Sequence, residues 1–253
     1  NTGVGMVRLN STRRVEDLVL HYAPGVVTVG GRIQSGVIGP GCTNERYEDC
    51  RELAQFCIDS KLPLVIDAGA LDLVKGLRDY ADAHSRSFSR TILTPHHGEA
   101  ARLLTQLGSP RSRADIDADP ATSAKELASL TGAIILLKSS TTLCSYLHHD
   151  QGNRRQEILS IPQETPWAGV AGSGDVLAGT VAGIAAGFQA RAERRQGNPS
   201  ISEAECASLA SLGAWVHAQA ALRASMGSEG KTCPIQAIDI ARALPEIIGG
   251  LCS

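Results

Sequence analysis

The strongest pattern in this sequence is Gly169-Val170-Ala171-Gly172-Ser173-Gly174-Asp175-Val176-Leu177-Ala178-Gly179, a glycine-rich turn that leads into small, apolar residues. The apolar run predicts a buried helix, and the first N–H groups of a helix have no partner within it. Because glycine leaves the backbone bare, such a turn can bind an anion such as a phosphate group. Asp175 would hold a carboxylate beside that anion, which is the combination that phosphoryl transfer needs. The alternative is a tight structural turn in which Asp175 is only a favourable charge at the helix start.

The bulk composition favours one globular domain and argues against nucleic acid and membranes as partners. Of the 253 residues, 43% are hydrophobic and 20% are charged, which suits a single domain with a large core. The formal net charge of −2 shows no excess of basic residues, which argues against binding to nucleic acid or to an anionic membrane. No apolar run is long enough to span a bilayer. The seven cysteines form no C-x-x-C pair, and the first residues do not resemble a signal peptide. We therefore expect a cytoplasmic protein with reduced thiols.

Short β-type runs alternate with helical patterns, which predicts a three-layer α/β/α fold with a mostly parallel central sheet and helices on both faces. The predicted strands are 5–9, 26–29, 36–39, 63–67, 91–93 and 133–137, followed by a hairpin of 142–147 and 156–160 around the turn 150–153. The predicted helices are 15–21, 45–60, 70–77, 98–107, 121–130, 176–187, 202–224 and 235–244. The polar segments 108–120 and 190–200 are predicted to be surface loops. Since no repeat or linker interrupts this order, we expect residues 1–253 to form one domain.

Polar residues follow several of the predicted strands. In open parallel sheets, ligands bind beyond the carboxyl ends of the strands. The residues that would meet at that edge, beside the start of the helix after Gly172, are Gly39-Pro40-Gly41, Asp67, His96 and Lys138. Asp67 has two interpretations, a second acid in the site or a helix N-cap, and the sequence favours the structural one.

The segment Thr94-Pro95-His96-His97-Gly98-Glu99 ends a predicted strand and begins a helix. Three residues apart in the first turn, His96 and Glu99 can face the same way. The imidazole can hydrogen-bond a substrate amide or hydroxyl, and the carboxylate can hold Mg²⁺ beside a nucleotide's phosphates. The alternative is a capped helix start in which the helix dipole favours Glu99.

The segment Lys138-Ser139-Ser140-Thr141-Thr142 follows the strongest predicted strand. A lysine followed by four hydroxyl groups can meet a polyphosphate, although the segment is not a Walker A motif. The alternative is a solvated lysine before a hairpin.

In their order along the chain, these motifs resemble those of the ADP/ATP-dependent NAD(P)H-hydrate dehydratases of the ribokinase-like superfamily. The segments that carry the resemblance are 38–41, 63–71, 93–99, 137–142 and 171–179. The resemblance covers nearly the whole chain. Its specific part is the T-P-H-x-G-E block together with G-S-G-D-V-L-A-G, because other ribokinase-like kinases share the G-x-G-D turn but usually lack the T-P-H-x-G-E block.

The resemblance implies an enzyme that repairs damaged nicotinamide cofactors. Its substrate would be the S form of NADH or NADPH hydrate, its co-substrate ADP or ATP, and its metal ion Mg²⁺. The hydrate hydroxyl would be phosphorylated and phosphate then eliminated, with Asp175 as the catalytic base and Glu99 holding the metal. The implied nucleotide-binding residues are Lys138, Ser139, Ser140, Thr141, Thr142, Gly172, Ser173 and Gly174, and the amides of the last three would form the anion hole. The implied substrate-binding residues are Gly39, Gly41, His96 and Asp175.

The sequence also departs from the usual family pattern. His97 stands where proline is common, Ala171 and Ser139 replace glycines, and the segment 67–70 lacks a second acid. None of these changes removes the proposed base. Family members have a further strand and helix before the region that matches Gly3-Val4-Gly5, so we expect the domain 1–253 to lack this unit. We see no epimerase domain of the kind that some relatives carry, and the family tendency implies a homo-oligomer, a tetramer or larger.

Two other functions fit the residues. One is a ribokinase-like kinase of a small hydroxyalkyl heterocycle, and the other is a nucleotide-binding protein without catalytic activity. The T-P-H-x-G-E block favours the dehydratase.

Overall fold

The computed structural model describes residues 2–150, 153–195, 200–227 and 230–251. The chain begins with a small sheet in which β1 (Val7–Arg8) pairs in parallel with β2 (Val26–Val27). Helix α1 (Arg13–Tyr22) connects the two strands, and none of its residues is buried. The predicted elements are therefore present here, but they stand outside the main sheet.

The main sheet has six strands in the order in which they occur along the chain. They are β3 (Gly36–Ile38), β4 (Leu64–Ile66), β5 (Thr91–Leu93), β6 (Ile134–Leu137), β7 (Thr141–Asp150) and β8 (Asn153–Pro162). The first four run parallel, and β7 and β8 form an antiparallel hairpin at one edge. The predicted hairpin is thus confirmed, although two residues of its turn, 151 and 152, lie outside the described residues.

Helices cover both faces of this sheet. They are α2 (Tyr47–Asp59), α3 (Val74–Ala83), α4 (His97–Gln106), α5 (Arg113–Ala118), α6 (Pro120–Thr131), α7 (Ser173–Ala192), α8 (Glu203–Ser225) and α9 (Ala237–Leu251). Side chains alternate along a strand, so Leu64 and Ile66 join the core that contains residues of α2, α3, α4 and α6, whereas Val65 joins the core formed with α7 and α8. This arrangement confirms the predicted α/β/α layers. Within the described ranges, no helix combines the length and apolar character needed to cross a membrane.

Three details differ from the sequence-based expectations. The predicted loop 108–120 contains α5, because Ser112 and Asp115 form a capping box that starts a helix within this polar segment. Helix α7 continues to Ala192, into the predicted loop 190–200, of which residues 196–199 lie outside the described residues. The predicted helix 70–77 is a 3₁₀ turn over Ala68–Leu73 followed by α3.

Candidate active site

The first part of the candidate site is the turn after β3. The Cys42 N–H donates to the Gly39 carbonyl at 2.8 Å, and Gly41 has a φ of 68°. Proline in the second position and a glycine with positive φ in the third are typical of a type II turn. Gly39 itself has a φ of 125°, and a Cβ there would lie 1.8 Å from the Asp67 carbonyl oxygen. Only glycine allows the turn to pack this closely on the end of β4.

Asp67 and Lys138, which follow β4 and β6, form an ion pair beside this turn. The Lys138 Nζ lies 2.7 Å from Asp67 Oδ1, and the Thr94 hydroxyl donates to the same oxygen at 2.8 Å. The Asp67 side chain is only 2% exposed, and that of Lys138 is 20% exposed. Asp67 stands at the N-cap position of the 3₁₀ turn Ala68–Leu73, as the structural interpretation predicts, but its side chain makes no capping hydrogen bond and contacts Lys138 and Thr94 instead.

The start of α4 brings His96 and Glu99 to the same place. The Glu99 Oε2 accepts from the His96 N–H at 2.8 Å, and it lies 3.8 Å from Lys138 Nζ. The His96 Nδ1 accepts from the backbone amides of Gly98 and Glu99 at 3.0 and 3.3 Å, which completes a capping box. The capped helix start is therefore real. Because Nδ1 accepts, a neutral His96 ring carries its proton on Nε2, which lies 3.7 Å from Glu99 Oε2, and the His96 side chain is 60% exposed.

The start of α7 adjoins the Lys138 ion pair. A Cβ on Gly174 would lie 3.2 Å from Lys138 Nζ and 3.8 Å from Asp67 Oδ2. Gly172 is the N-cap with a φ of 85°, which favours glycine. Among the described residues, no acceptor is found for the amides of Gly172, Gly174 and Asp175. The Ser173 N–H, in contrast, donates to the Val170 carbonyl at 3.1 Å. The Ser173 amide, one of the three expected to form the anion hole, therefore already has an acceptor, whereas the Asp175 amide has none among the described residues.

Asp175 lies in the first turn of α7 with an exposed side chain. Partial burial of the carboxyl group raises its pKa, and the nearby negative charge of Asp67 raises it further, while Lys138 acts in the opposite direction. A raised pKa brings a carboxylate closer to the working range of a general base.

His217 on α8 supports the same helix start and was missed by the sequence analysis. Its Nε2 lies 3.1 Å from the Ser173 carbonyl oxygen and 3.2 Å from the Ser173 hydroxyl. The side chain is buried, and burial lowers the pKa of the imidazole to about 4. A neutral imidazole that donates from Nε2 to Ser173 holds the first residue of α7 in place. The only signal in the sequence is a single histidine within the alanine-rich pattern of α8.

The segment after Lys138 divides into an exposed and a buried part. Ser139 and Ser140 are exposed, and the Ser140 carbonyl accepts from the Gln163 N–H at 2.9 Å. Thr142 is 1% exposed and pairs with Ile161 in the β7–β8 hairpin. This burial argues against the predicted contact between the Thr142 side chain and a nucleotide, because almost none of the residue is accessible.

The acidic residues fit a metal ion only when phosphate supplies most of its ligands. The described part of the chain contains no group of three or more His, Cys, Asp or Glu side chains that could hold a metal by themselves. Mg²⁺ commonly takes one or two carboxylates, substrate phosphates and several waters. The contacts of Glu99 within the described residues all use Oε2, which leaves Oε1 to bind such an ion.

Solved structures identify the fold. A ribokinase-like superfamily protein from Enterococcus faecalis superposes with a TM-score of 0.65 at 18% identity, over 98% of this chain and 78% of that one. The ADP/ATP-dependent NAD(P)H-hydrate dehydratase from Bacillus subtilis superposes with a TM-score of 0.69 at 19% identity, over 98% and 82% of the two chains. The chain has the ribokinase-like α/β fold, as its sequence motifs predicted.

Sequence comparison identifies the family. The family model described as NAD(P)H-hydrate dehydratase matches residues 2–243. The bifunctional NAD(P)H-hydrate repair enzyme Nnr of Mycobacterium tuberculosis is 34% identical over 187 residues, which is 72% of this chain and 35% of that protein. The ADP-dependent (S)-NAD(P)H-hydrate dehydratase of Neisseria meningitidis is 33% identical over 163 residues, which is 63% of this chain and 44% of that protein. This chain therefore belongs to the NAD(P)H-hydrate dehydratase family, and it spans less than half the length of either of these relatives.

Proposed function

We propose that this chain dehydrates the S form of NADH or NADPH hydrate in an ADP- or ATP-dependent reaction and so regenerates the reduced cofactor. The observation that carries the proposal is the contact between the α7 start and the Lys138 pair. There, the amides of Gly172, Gly174 and Asp175, which have no acceptor among the described residues, belong to a helix start that lies beside Lys138. The Asp175 carboxylate is on the same helix turn and senses the charge of Lys138. Family membership and the names of the relatives support the choice of substrate.

The nucleotide's terminal phosphate would lie on the amides of Gly172, Gly174 and Asp175. These groups are preorganised, since the start of α7 holds them in place and none has an acceptor among the described residues. The Lys138 ammonium adds positive charge beside them. The exposed residues Ser139 and Ser140, with Thr141, would contact the rest of the nucleotide.

The hydrate would lie between the Gly39–Gly41 turn, His96 and Asp175. The Asp175 carboxylate accepts the proton of the hydrate hydroxyl as the oxygen attacks the terminal phosphorus. The bond from that phosphorus to the bridging oxygen breaks, and AMP leaves when the donor is ADP, or ADP when it is ATP. The amides at the α7 start stabilise the charge on the transferring group, so catalysis consists of positioning and electrostatic stabilisation.

Phosphorylation turns a poor leaving group into a good one. The lone pair of the ring nitrogen expels inorganic phosphate from the adjacent carbon, and loss of a proton from the next carbon forms the ring double bond. His96, whose side chain is 60% exposed, would hold a carbonyl or hydroxyl of the substrate during this step. A bound Mg²⁺, held by Glu99 together with the phosphates, would neutralise phosphate charge.

The larger organisation of the protein is part of the same proposal. We expect residues 1–253 to act as one domain within a cytoplasmic homo-oligomer, a tetramer or larger. The α1 side chains Val15, Leu18 and Tyr22 are 42%, 63% and 67% exposed, and this apolar surface supports association between copies.

The test incubates the protein with (S)-NADH hydrate, Mg²⁺ and either ADP or ATP. Return of the absorbance of reduced nicotinamide, with release of one phosphate per NADH, is the expected result. A stable phosphorylated hydrate without NADH would indicate a kinase instead. Nucleotide binding without any turnover would indicate a binding protein. The epimeric R form is the matched control and should not react.

A further inference from the structure

Two cysteine side chains meet at the edge of the candidate site. The Sγ atoms of Cys42 and Cys50 lie 3.0 Å apart, and both cysteines are free and half-buried. Cys42 closes the type II turn after β3, and Cys50 lies in the first half of α2. A disulfide bond joins its sulfurs at about 2.05 Å, so the two thiols need to approach by only about 1 Å to form one.

We propose that Cys42 and Cys50 form a reversible disulfide bond that joins the Gly39–Cys42 turn to α2. The oxidant is a low-molecular-weight disulfide of the glutathione class. The Cys42 thiolate attacks one sulfur of the oxidant and releases one thiolate. The Cys50 thiolate then attacks the Cys42 sulfur and releases the second, and the two protons of the protein thiols pass to the released thiolates.

The surroundings of the two sulfurs set the order of these steps. Burial, and next to it the contact with Cys42, raises the pKa of the Cys50 thiol to about 12. Cys42, which follows an exposed turn, is therefore the thiol that meets the oxidant first. Three other thiols are shut inside the core, since Cys57, Cys144 and Cys206 are each 0% exposed.

The bond would act on the substrate side of the site, an argument that rests on the proposed function. The turn packs closely on neighbouring backbone at both ends. A Cβ on Gly39 would lie 1.8 Å from the Asp67 carbonyl oxygen, and a Cβ on Gly69 would lie 2.5 Å from the Cys42 carbonyl oxygen. Because the backbone of Cys42 is packed this closely, a shift of Cys42 on forming the disulfide bond would be transmitted to the backbone of the turn. A displacement of about 1 Å in a positioning element is enough to lower turnover severely.

The disulfide itself is tested without reference to activity. The full chain is equilibrated in buffers of graded reduced to oxidised glutathione, its free thiols are alkylated, and the protein is digested with trypsin. Cleavage after Arg46 and Arg51 separates the two cysteines, so the bond joins the peptides 33–46 and 47–51. Each thiol loses one hydrogen, and the intact mass falls by about 2 Da.

Matched variants make the test specific. Cys42→Ser and Cys50→Ser should each abolish the joined peptides, whereas Cys233→Ser, at an exposed thiol elsewhere, should leave them unchanged. The proposal would be overturned if Cys42 and Cys50 both remained free thiols in the oxidised wild type, or if glutathione stayed attached to Cys42.

The effect on the site is tested by turnover of NADH hydrate before and after oxidation. Oxidation should lower the turnover of the wild type several-fold, reduction should restore it, and Cys50→Ser should be insensitive. Equal turnover in both states would overturn the link to the site. A reduced wild type without any turnover would instead contradict the proposed function, while the peptide assay would still decide whether the bond forms.

Discussion

Replacing Asp67 with asparagine removes one charge from the site and keeps the size of the side chain. At 2.7 Å and an effective dielectric constant of about 20, the attraction between Asp67 and Lys138 is about 6 kcal/mol before desolvation is counted. Breaking one partner of a fully buried pair costs about 3–5 kcal/mol. Lys138 keeps 20% of its surface exposed and retains Glu99 at 3.8 Å, so we expect a smaller loss of about 1–3 kcal/mol.

The assay for this loss is urea unfolding followed by far-ultraviolet circular dichroism at neutral pH. The expected loss moves the midpoint down by about 0.5–1 M urea. Asp79→Asn is the matched control, because Asp79 pairs with Arg78 at the surface and its side chain is 52% exposed. Equal midpoints for the two variants would refute the assignment of Asp67 as a buried partner that holds Lys138.

The same variant also tests the electrostatics of the proposed base. The negative charge of Asp67 contributes to the raised pKa of Asp175, so its removal should lower that pKa. A carboxylate base with a lower pKa is deprotonated at lower pH, and the acidic limb of the kcat/KM profile should move to lower pH. An acidic limb that stays in place, or moves to higher pH, would contradict the coupling between the two carboxylates.

The remaining predictions concern the base, the buried histidine and the glycine turn. Asp175→Asn should reduce turnover by about 10²–10⁴-fold while nucleotide affinity, measured by calorimetry, stays the same; unchanged turnover would exclude Asp175 as the base. Because burial lowers the pKa of His217 to about 4, the unfolded chain takes up this proton first. The wild type should therefore lose up to about 3 kcal/mol relative to His217→Asn between about pH 6.5 and 4, as measured by urea unfolding at each pH, and parallel stability curves would refute this. Gly39→Ala should cost at least about 3 kcal/mol in the same assay, since its Cβ would lie 1.8 Å from the Asp67 carbonyl oxygen, whereas Gly41→Ala, with no atom within 4 Å, should cost about 1–2 kcal/mol; equal losses would contradict the close packing of Gly39.

Local patterns were sufficient for most of the fold. The strands and helices of the main sheet follow from apolar periodicity. The predicted helix 202–224 corresponds to α8, and Ser202 and Glu205 form a capping box at its start, which is a pattern that the sequence itself contains. Ser112 and Asp115 carry the same signal, and it outweighs the polar, proline-bearing character of a segment that otherwise predicts a loop. The polar residues that follow the strands predict where the candidate site lies, at the carboxyl ends of the parallel strands. The roles of these residues stay predictions.

The sequence by itself determined the fold class, the family and the motifs that lie at the edge of the sheet, because backbone sterics, capping and hydrophobic periodicity act between residues close in the chain. Only the tertiary structure decided which groups meet. Asp67 and Lys138 are 71 positions apart, and Ser173 and His217 are 44 apart. The neighbours of the glycine-rich turn, His217 beside Ser173 and Lys138 beside Gly174, therefore depend on how strands and helices pack rather than on local pattern.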